Sequence, residues 1–169
     1  HQPAAILADV DAFCRELRPT EELCYVEHRF NDETIPLAKK HNILGIPLPE
    51  KLGGRGADAV TYAKCLARLG REGTGVRTFF SGQTSIGQYP IYKFGTPDQH
   101  QRYLPASTRG ECTLAFGLTE PEAGSNPLEM TSTYRRDGDR FLLSGVKYLI
   151  SNGAIADALG KDVVVPFQQ

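Results

Sequence analysis

At Gly110 the hydrophobic period of this chain changes, and no other feature constrains the fold as strongly. Before it, apolar residues recur every three or four positions; after it, they alternate with polar ones. Such a division predicts an α+β fold, with an N-terminal all-helical domain over residues 1–110 followed by an antiparallel β-domain over residues 111–169. In the helical part Ile6, Leu7, Val10, Phe13, Cys14 and Leu17 form one stripe, and Pro19 is expected to stop that helix. Leu23 and Val26 fit a further short helix, and another begins near residues 32–34, takes Pro36 into its first turn and ends around Asn42. Residues 43–49 are expected to be extended, because Pro47 and Pro49 each push the preceding residue out of the helical region. The L-G-G-R-G run at 52–56 lacks the spacing and the Lys-Ser/Thr pair of a phosphate loop, so it reads as a connector. Asp58 caps a helix with Tyr62, Ala63, Leu66 and Leu69 on one stripe, closed by Gly70 and Gly73. T-P-D-Q at 96–99 is a capping box for a short helix to Leu104, which Pro105 is expected to end.

Two stretches carry more than architecture. From Val76 the pattern Phe79, Phe80, Gln83, Ile86, Gly87 and Ile91 keeps helical spacing but mixes polar residues into the apolar stripe. Either this helix has a polar edge against solvent, or Gln83, Ser85 and Gln88 look into a cavity. The second stretch is A-F-G-L-T-E-P-E-A-G-S-N at 115–126. Leu114, Phe116 and Leu118 fall on one face of a strand, and Thr113, Ala115, Gly117 and Thr119 on the other. A small-residue face ending in exposed amides and a Ser hydroxyl suits a flat ligand with a phosphate tail. A solvent-facing strand and an ordinary turn fit the same residues.

Strands are expected over residues 111–119, 130–136, 140–144 and 146–151, with a turn at Asp137-Gly138 and another at Asn152-Gly153. A sandwich or barrel would follow. Residues 158–162 break the next strand, and Val163, Val164, Val165 and Phe167 have no sheet written to cover them, so the chain reads as incomplete.

A net charge of −1 and a sequence pI near 6.5 argue against nucleic acid or an anionic membrane as the main partner. No apolar run approaches bilayer length and the start lacks the plan of a signal peptide, which points to a soluble cytoplasmic protein. Cys14, Cys24, Cys65 and Cys112 show no C-x-x-C spacing and read as free, partly buried thiols. His1, His28, His41 and His100 lack ligand spacing, with His28 and His41 expected on solvated faces, so no metal is expected.

Several segments in fixed order resemble the acyl-CoA dehydrogenase family. They are P-L-P-E-K-L-G-G-R-G (47–56), S-I-G-Q-Y-P-I (85–91), F-G-T-P-D-Q-H-Q-R-Y-L-P (94–105), the 115–126 stretch, and L-S-G-V-K-Y-L-I-S-N-G (143–153). The resemblance implies an N-terminal helical domain, a middle β-domain, and FAD held between that β-domain and a C-terminal helical bundle that is absent from this sequence. It implies α,β-dehydrogenation of an acyl-CoA or acyl-carrier-protein thioester, with an electron-transfer flavoprotein as redox partner and a homodimer or homotetramer as the assembly. By motif position Phe116, Leu118 and Thr119 would contact the flavin ring, and Gly124 and Ser125 would lie by the pyrophosphate or the acyl-carrier arm. Ser151, where the family usually has Thr, would donate toward N5. Gln83, Ser85 and Gln88 would line the acyl cavity.

Three departures stand out. Leu149 replaces the Trp that commonly covers the flavin, which thins that wall and weighs against the usual electron-transfer partner. Asn126 replaces an Asp. The family's catalytic Glu belongs to the missing bundle, and neither Glu120 nor Glu122 is expected to replace it. A same-fold flavin oxidase or monooxygenase, and a truncated non-catalytic binding module, are the alternatives.

Overall fold

A computed structural model describes residues 2–153. The helical part holds α1 (Gln2–Val26), α2 (Thr34–Lys40), α3 (Ala59–Glu72), α4 (Thr74–Ser81), α5 (Tyr89–Phe94) and α6 (Pro97–Thr108), and a π-helical turn, Gly82–Gln88, joins α4 to α5. A hairpin follows, β1 (Thr133–Asp137) and β2 (Arg140–Ser144), paired antiparallel from Thr133↔Ser144 to Asp137↔Arg140. This is the α+β order expected from the change of period.

Burial of one stripe per helix builds the core. Ile6, Val10, Phe13, Cys14 and Leu17 of α1 pack against Cys65 and Leu69 of α3 and Val76, Phe79 and Phe80 of α4. A smaller cluster, Leu48, Ile91, Leu104 and Leu114, carries α5 and α6 onto the start of the second part of the chain. Asp58 caps α3 by accepting from the Thr61 amide at 2.7 Å, and Thr96 and Gln99 form the expected capping box on α6. On α3 the buried stripe is Thr61, Cys65 and Leu69, with Tyr62 and Leu66 half-buried and Ala63 exposed, a shift from the expected stripe.

Both expected proline stops fail. Pro19 and Pro105 lie inside α1 and α6. Each is followed by hydroxyl side chains that bond carbonyls three residues back: Thr20 to Leu17 at 2.9 Å, Ser107 to Leu104 at 2.8 Å and Thr108 to Pro105 at 2.9 Å. The last turn of α1 also buries Cys24 rather than Leu23 or Val26, which are both exposed. Residues 43–49 form turns rather than an extended segment, because Ile43, Leu44, Ile46 and Leu48 all turn inward. The glycine-rich connector folds back on them through Arg55 N to Gly45 O (3.1 Å), Gly56 N to Leu48 O (2.7 Å) and Ala57 N to Ile46 O (3.0 Å).

Two expected strands are also absent. Residues 112–119 run without a ladder partner among the described residues, and residues 146–151 are irregular. Leu149 and Asn152 adopt left-handed φ values of 57° and 69°, which no strand accommodates. The sheet is therefore the hairpin alone among the described residues, and Val163, Val164, Val165 and Phe167 lie outside them. Cys14, Cys24 and Cys65 are buried free thiols, with burial pushing Cys14 up to about 12 and Cys65 to about 11. His28 is exposed, whereas the His41 ring is mostly covered and pairs with Glu16 at 3.1 Å. Among the described residues no helix is long and apolar enough to cross a membrane, and no cluster of three His, Cys, Asp or Glu could hold a metal ion.

Candidate functional site

The segment after Gly110 is delivered to the helices by two glutamines that the π turn points inward. Gln83, 1 % exposed, accepts from the Leu114 amide at 2.8 Å and donates to the carbonyls of Ser107 (3.3 Å) and Cys112 (3.4 Å). Gln88 donates to Leu44 O at 2.8 Å and Ser107 Oγ at 3.0 Å. Gly87 lets the backbones meet, since a Cβ there would stand 2.7 Å from Leu114 Cβ. Ser85 is bonded to Tyr62 Oη at 2.8 Å. Gln83 is thus bonded to the backbone of Ser107, Cys112 and Leu114, Ser85 to Tyr62, and Gln88 through its amide nitrogen to Leu44 and Ser107, while Gln88 Oε1 is buried with no partner among the described residues.

So positioned, the chain forms a cleft of ≈ 220 Å³. Leu114, Ala115, Phe116, Leu118 and Thr119 make one wall, and Tyr148, Leu149, Ile150 and Ser151 the other. Gly82 and Ile86 of the π turn complete it. The expected residues Phe116, Leu118, Thr119, Leu149 and Ser151 therefore come together. Gly124 and Ser125 do not line the cleft; they sit exposed just past the Glu120↔Ala123 bridge, where a Cβ on Gly124 would meet nothing within 4 Å. The small-residue face is only partly open: Ala115 and Thr119 line the cleft. Thr113 and Ala115 are buried, and a Cβ on Gly117 would lie 3.3 Å from Lys147 Cγ. The glycine admits the chain's own second wall.

Few bonds hold the walls together. Tyr148 N donates to Thr119 O at 2.8 Å, Lys147 Nζ to Leu118 O at 3.0 Å, and Asn152 Nδ2 to Leu114 O at 2.9 Å. Periodicity gave no sign of Lys147 or Asn152 as site residues; their only local signal is the N-G turn, whose left-handed Asn152 aims its amide back.

The cleft is apolar with scattered donors. Among the described residues the amides of Phe116, Leu118, Thr119 and Ser151, and the hydroxyls of Thr119 and Ser151, make no hydrogen bond. No carboxylate, amine or imidazole among the described residues lines it. It can hold a planar, acceptor-rich ring by its faces and edges, and it offers no group to take a proton from carbon.

Glu120, beside the cleft, is 3 % exposed and saturated with donors. Its carboxylate accepts from Thr131 N (2.6 Å), Thr131 Oγ1 (2.9 Å), Ser132 N (3.1 Å) and Lys147 Nζ (2.8 Å). The Lys147 ammonium first, then the bonds from Ser132 and Thr131, hold it well below the usual carboxylate range. A carboxylate so bound is no base. Its depressed value makes its contribution to stability complete above the ordinary value of 4.5 and progressively lost as pH falls below that. Protection factors of the amides in residues 118–132, corrected for the pH dependence of intrinsic exchange, are therefore expected to fall on acidification below pH 4.5, and Glu120→Gln to flatten that dependence.

Residues 2–111 match the model for the acyl-CoA dehydrogenase N-terminal domain, and residues 115–165 that for the acyl-CoA dehydrogenase middle domain. An acyl-CoA dehydrogenase of Bacillus subtilis (strain 168) is 36% identical over 143 residues, covering 85% of this chain and 38% of the relative. A 3-(aryl)acrylate reductase of Clostridium sporogenes is 32% identical over the same length and with the same two shares. The glutaryl-CoA dehydrogenase of Mycobacterium smegmatis, solved in complex with FADH2, superposes with a TM-score of 0.85 at 34% identity, over 93% of this chain and 41% of that one. The chain thus spans 38% of the length of the two curated relatives.

Proposed function

Since this chain belongs to the acyl-CoA dehydrogenase family, we propose that its cleft holds the flavin ring of FAD in an enzyme that desaturates an acyl thioester, on CoA or an acyl-carrier protein, between the α and β carbons. The observation that carries this reading is the set of unpaired donors on an apolar cleft. Phe116 and Leu118 flank the ring and offer amides to its polar edge; Thr119 and Ser151 add hydroxyls from opposite walls. Bound FAD supplies the hydride acceptor. Gly124 and Ser125 would meet the pyrophosphate or the acyl-carrier arm, a role supported by their exposure in the loop beyond. The α-proton goes to a base outside this cleft, whose described walls carry none.

Purified full-length protein is expected to show a flavin absorbance spectrum that bleaches on adding an acyl thioester. A colourless product that cannot be reconstituted with FAD would sink the reading. We place the working enzyme in the cytoplasm as a homodimer or homotetramer, passing electrons to an electron-transfer flavoprotein, with the helical and β parts meeting at residues 110–111.

One observation favours a second reading. Leu149, which lines the cleft, is 75% exposed and puts an aliphatic side chain at that position. Such a position, without a covering aromatic ring, suits a flavin oxidase or monooxygenase that uses dioxygen directly. Peroxide or a hydroxylated product formed without an electron-transfer partner would select it.

A further inference from the structure

Among the described residues the two walls of the cleft are joined by a single backbone hydrogen bond, Tyr148 N to Thr119 O. A strand ladder would fix their separation; here side chains must do it. Lys147 sits at the centre of that work. Its ammonium reaches Leu118 O at 3.0 Å, Glu120 Oε1 at 2.8 Å and Met130 Sδ at 3.3 Å, so it grips the first wall while its own backbone leads into the second. The Glu120 side chain is 2 % exposed, and its other acceptor sites are filled by Thr131 and Ser132. A buried carboxylate pinned on several sides is a fixed post, and a lysine tied to it loses the freedom that a surface lysine keeps. Gly117 packs under the Lys147 stem, so the pair also sets how closely the walls approach.

We propose that Glu120 and Lys147 are positioning residues that set the width of the cleft, and through it the fit of the planar ring held there. Neither touches that ring. The identity of the ring rests on the flavin reading above, whereas the effect on the walls does not.

The test uses the full-length protein and its Glu120→Gln, Lys147→Met and Lys147→Arg variants, with Arg18→Met as a control. Arg18 forms an ion pair with Glu72 at 2.7 Å in the helical part, remote in sequence from both walls, so its loss lowers stability without touching the pair. The readout independent of ligand is amide exchange at Tyr148. It is expected to rise roughly tenfold or more in Glu120→Gln and Lys147→Met, to return toward wild type in Lys147→Arg, and to stay unchanged in Arg18→Met. The second readout is the Kd for FAD, expected to weaken roughly tenfold in the same two variants and not in the control. Unchanged Tyr148 exchange in both pair variants would overturn the proposal, as would equal weakening of FAD binding in Arg18→Met. Wild-type protein that binds no FAD would refute the flavin reading instead, leaving the exchange result to decide the pair. Should Lys147→Met fail to fold, Glu120→Gln, which keeps the shape of the side chain, carries the same comparison.

Discussion

Phe80→Ala is expected to destabilise the helical part by about 3–5 kcal/mol, the range for deleting a buried aromatic ring. Phe80 is 1 % exposed and packs edge-on against Phe13 of α1 at 5.3 Å and against Phe79 at 5.4 Å. Such edge-to-face pairs add roughly 0.5–1.5 kcal/mol beyond the area they bury. The residue also stands where α4 gives way to the π turn, and its carbonyl accepts from Thr84 Oγ1 at 2.7 Å. Losing the ring removes its contacts with Phe13 and Phe79, while the Thr84 bond to the main-chain carbonyl at position 80 remains. The measurement is urea denaturation, with the midpoint falling and the slope m unchanged. A loss below about 1 kcal/mol would show that α1 and α4 do not share one core.

How far the sequence reads through to this structure depends on whether a feature is local. The α1 stripe is local, and Ile6, Val10, Phe13 and Leu17 are buried as their spacing predicts. Proline stops are only half local. Pro19 and Pro105 remove a donor as expected, but burial of Cys24 and Leu104 holds the surrounding turns in helix. Alternation at 111–119 was legible as extended chain, yet a strand needs a partner, and the side chains of Lys147 and Asn152 occupy the partner's place. The cleft residues Phe116, Leu118, Thr119, Leu149 and Ser151 were reached through segment resemblance, not periodicity. The pairing of Glu120 with Lys147 joins residues far apart in sequence that no helical or strand period relates. The polar residues in the stripe that starts at Val76 were visible as an anomaly, but their direction was not, because the π turn shifts the register that an α-helical wheel assumes.

That shift makes Gln83→Leu the sharpest probe of how the two parts are coupled. Leucine is close to glutamine in volume, so little of the effect comes from a cavity; what is lost is both polar ends. The Leu114 amide is left buried without its acceptor, at a cost of about 1–3 kcal/mol, and the carbonyl of Cys112 loses a donor. Ser107 O keeps the Gly110 amide at 3.2 Å, so it is not orphaned. Gln88→Leu makes the fair comparison. Gln88 is equally buried, but its Oε1 accepts from no group among the described residues and its bonds go to Leu44 and Ser107, away from the cleft wall. Removing it relieves one unsatisfied atom while losing two donors' bonds, so its destabilisation is expected to be the smaller. FAD affinity separates them further. Gln83 grips Leu114 N while Asn152 grips Leu114 O, so Gln83→Leu loosens a lining residue at the junction of both walls and is expected to weaken FAD binding roughly tenfold. Gln88→Leu is expected to leave FAD binding near wild type. Equal loss of affinity in the two variants, tracking stability alone, would mean that the π turn supports the helices without positioning the cleft.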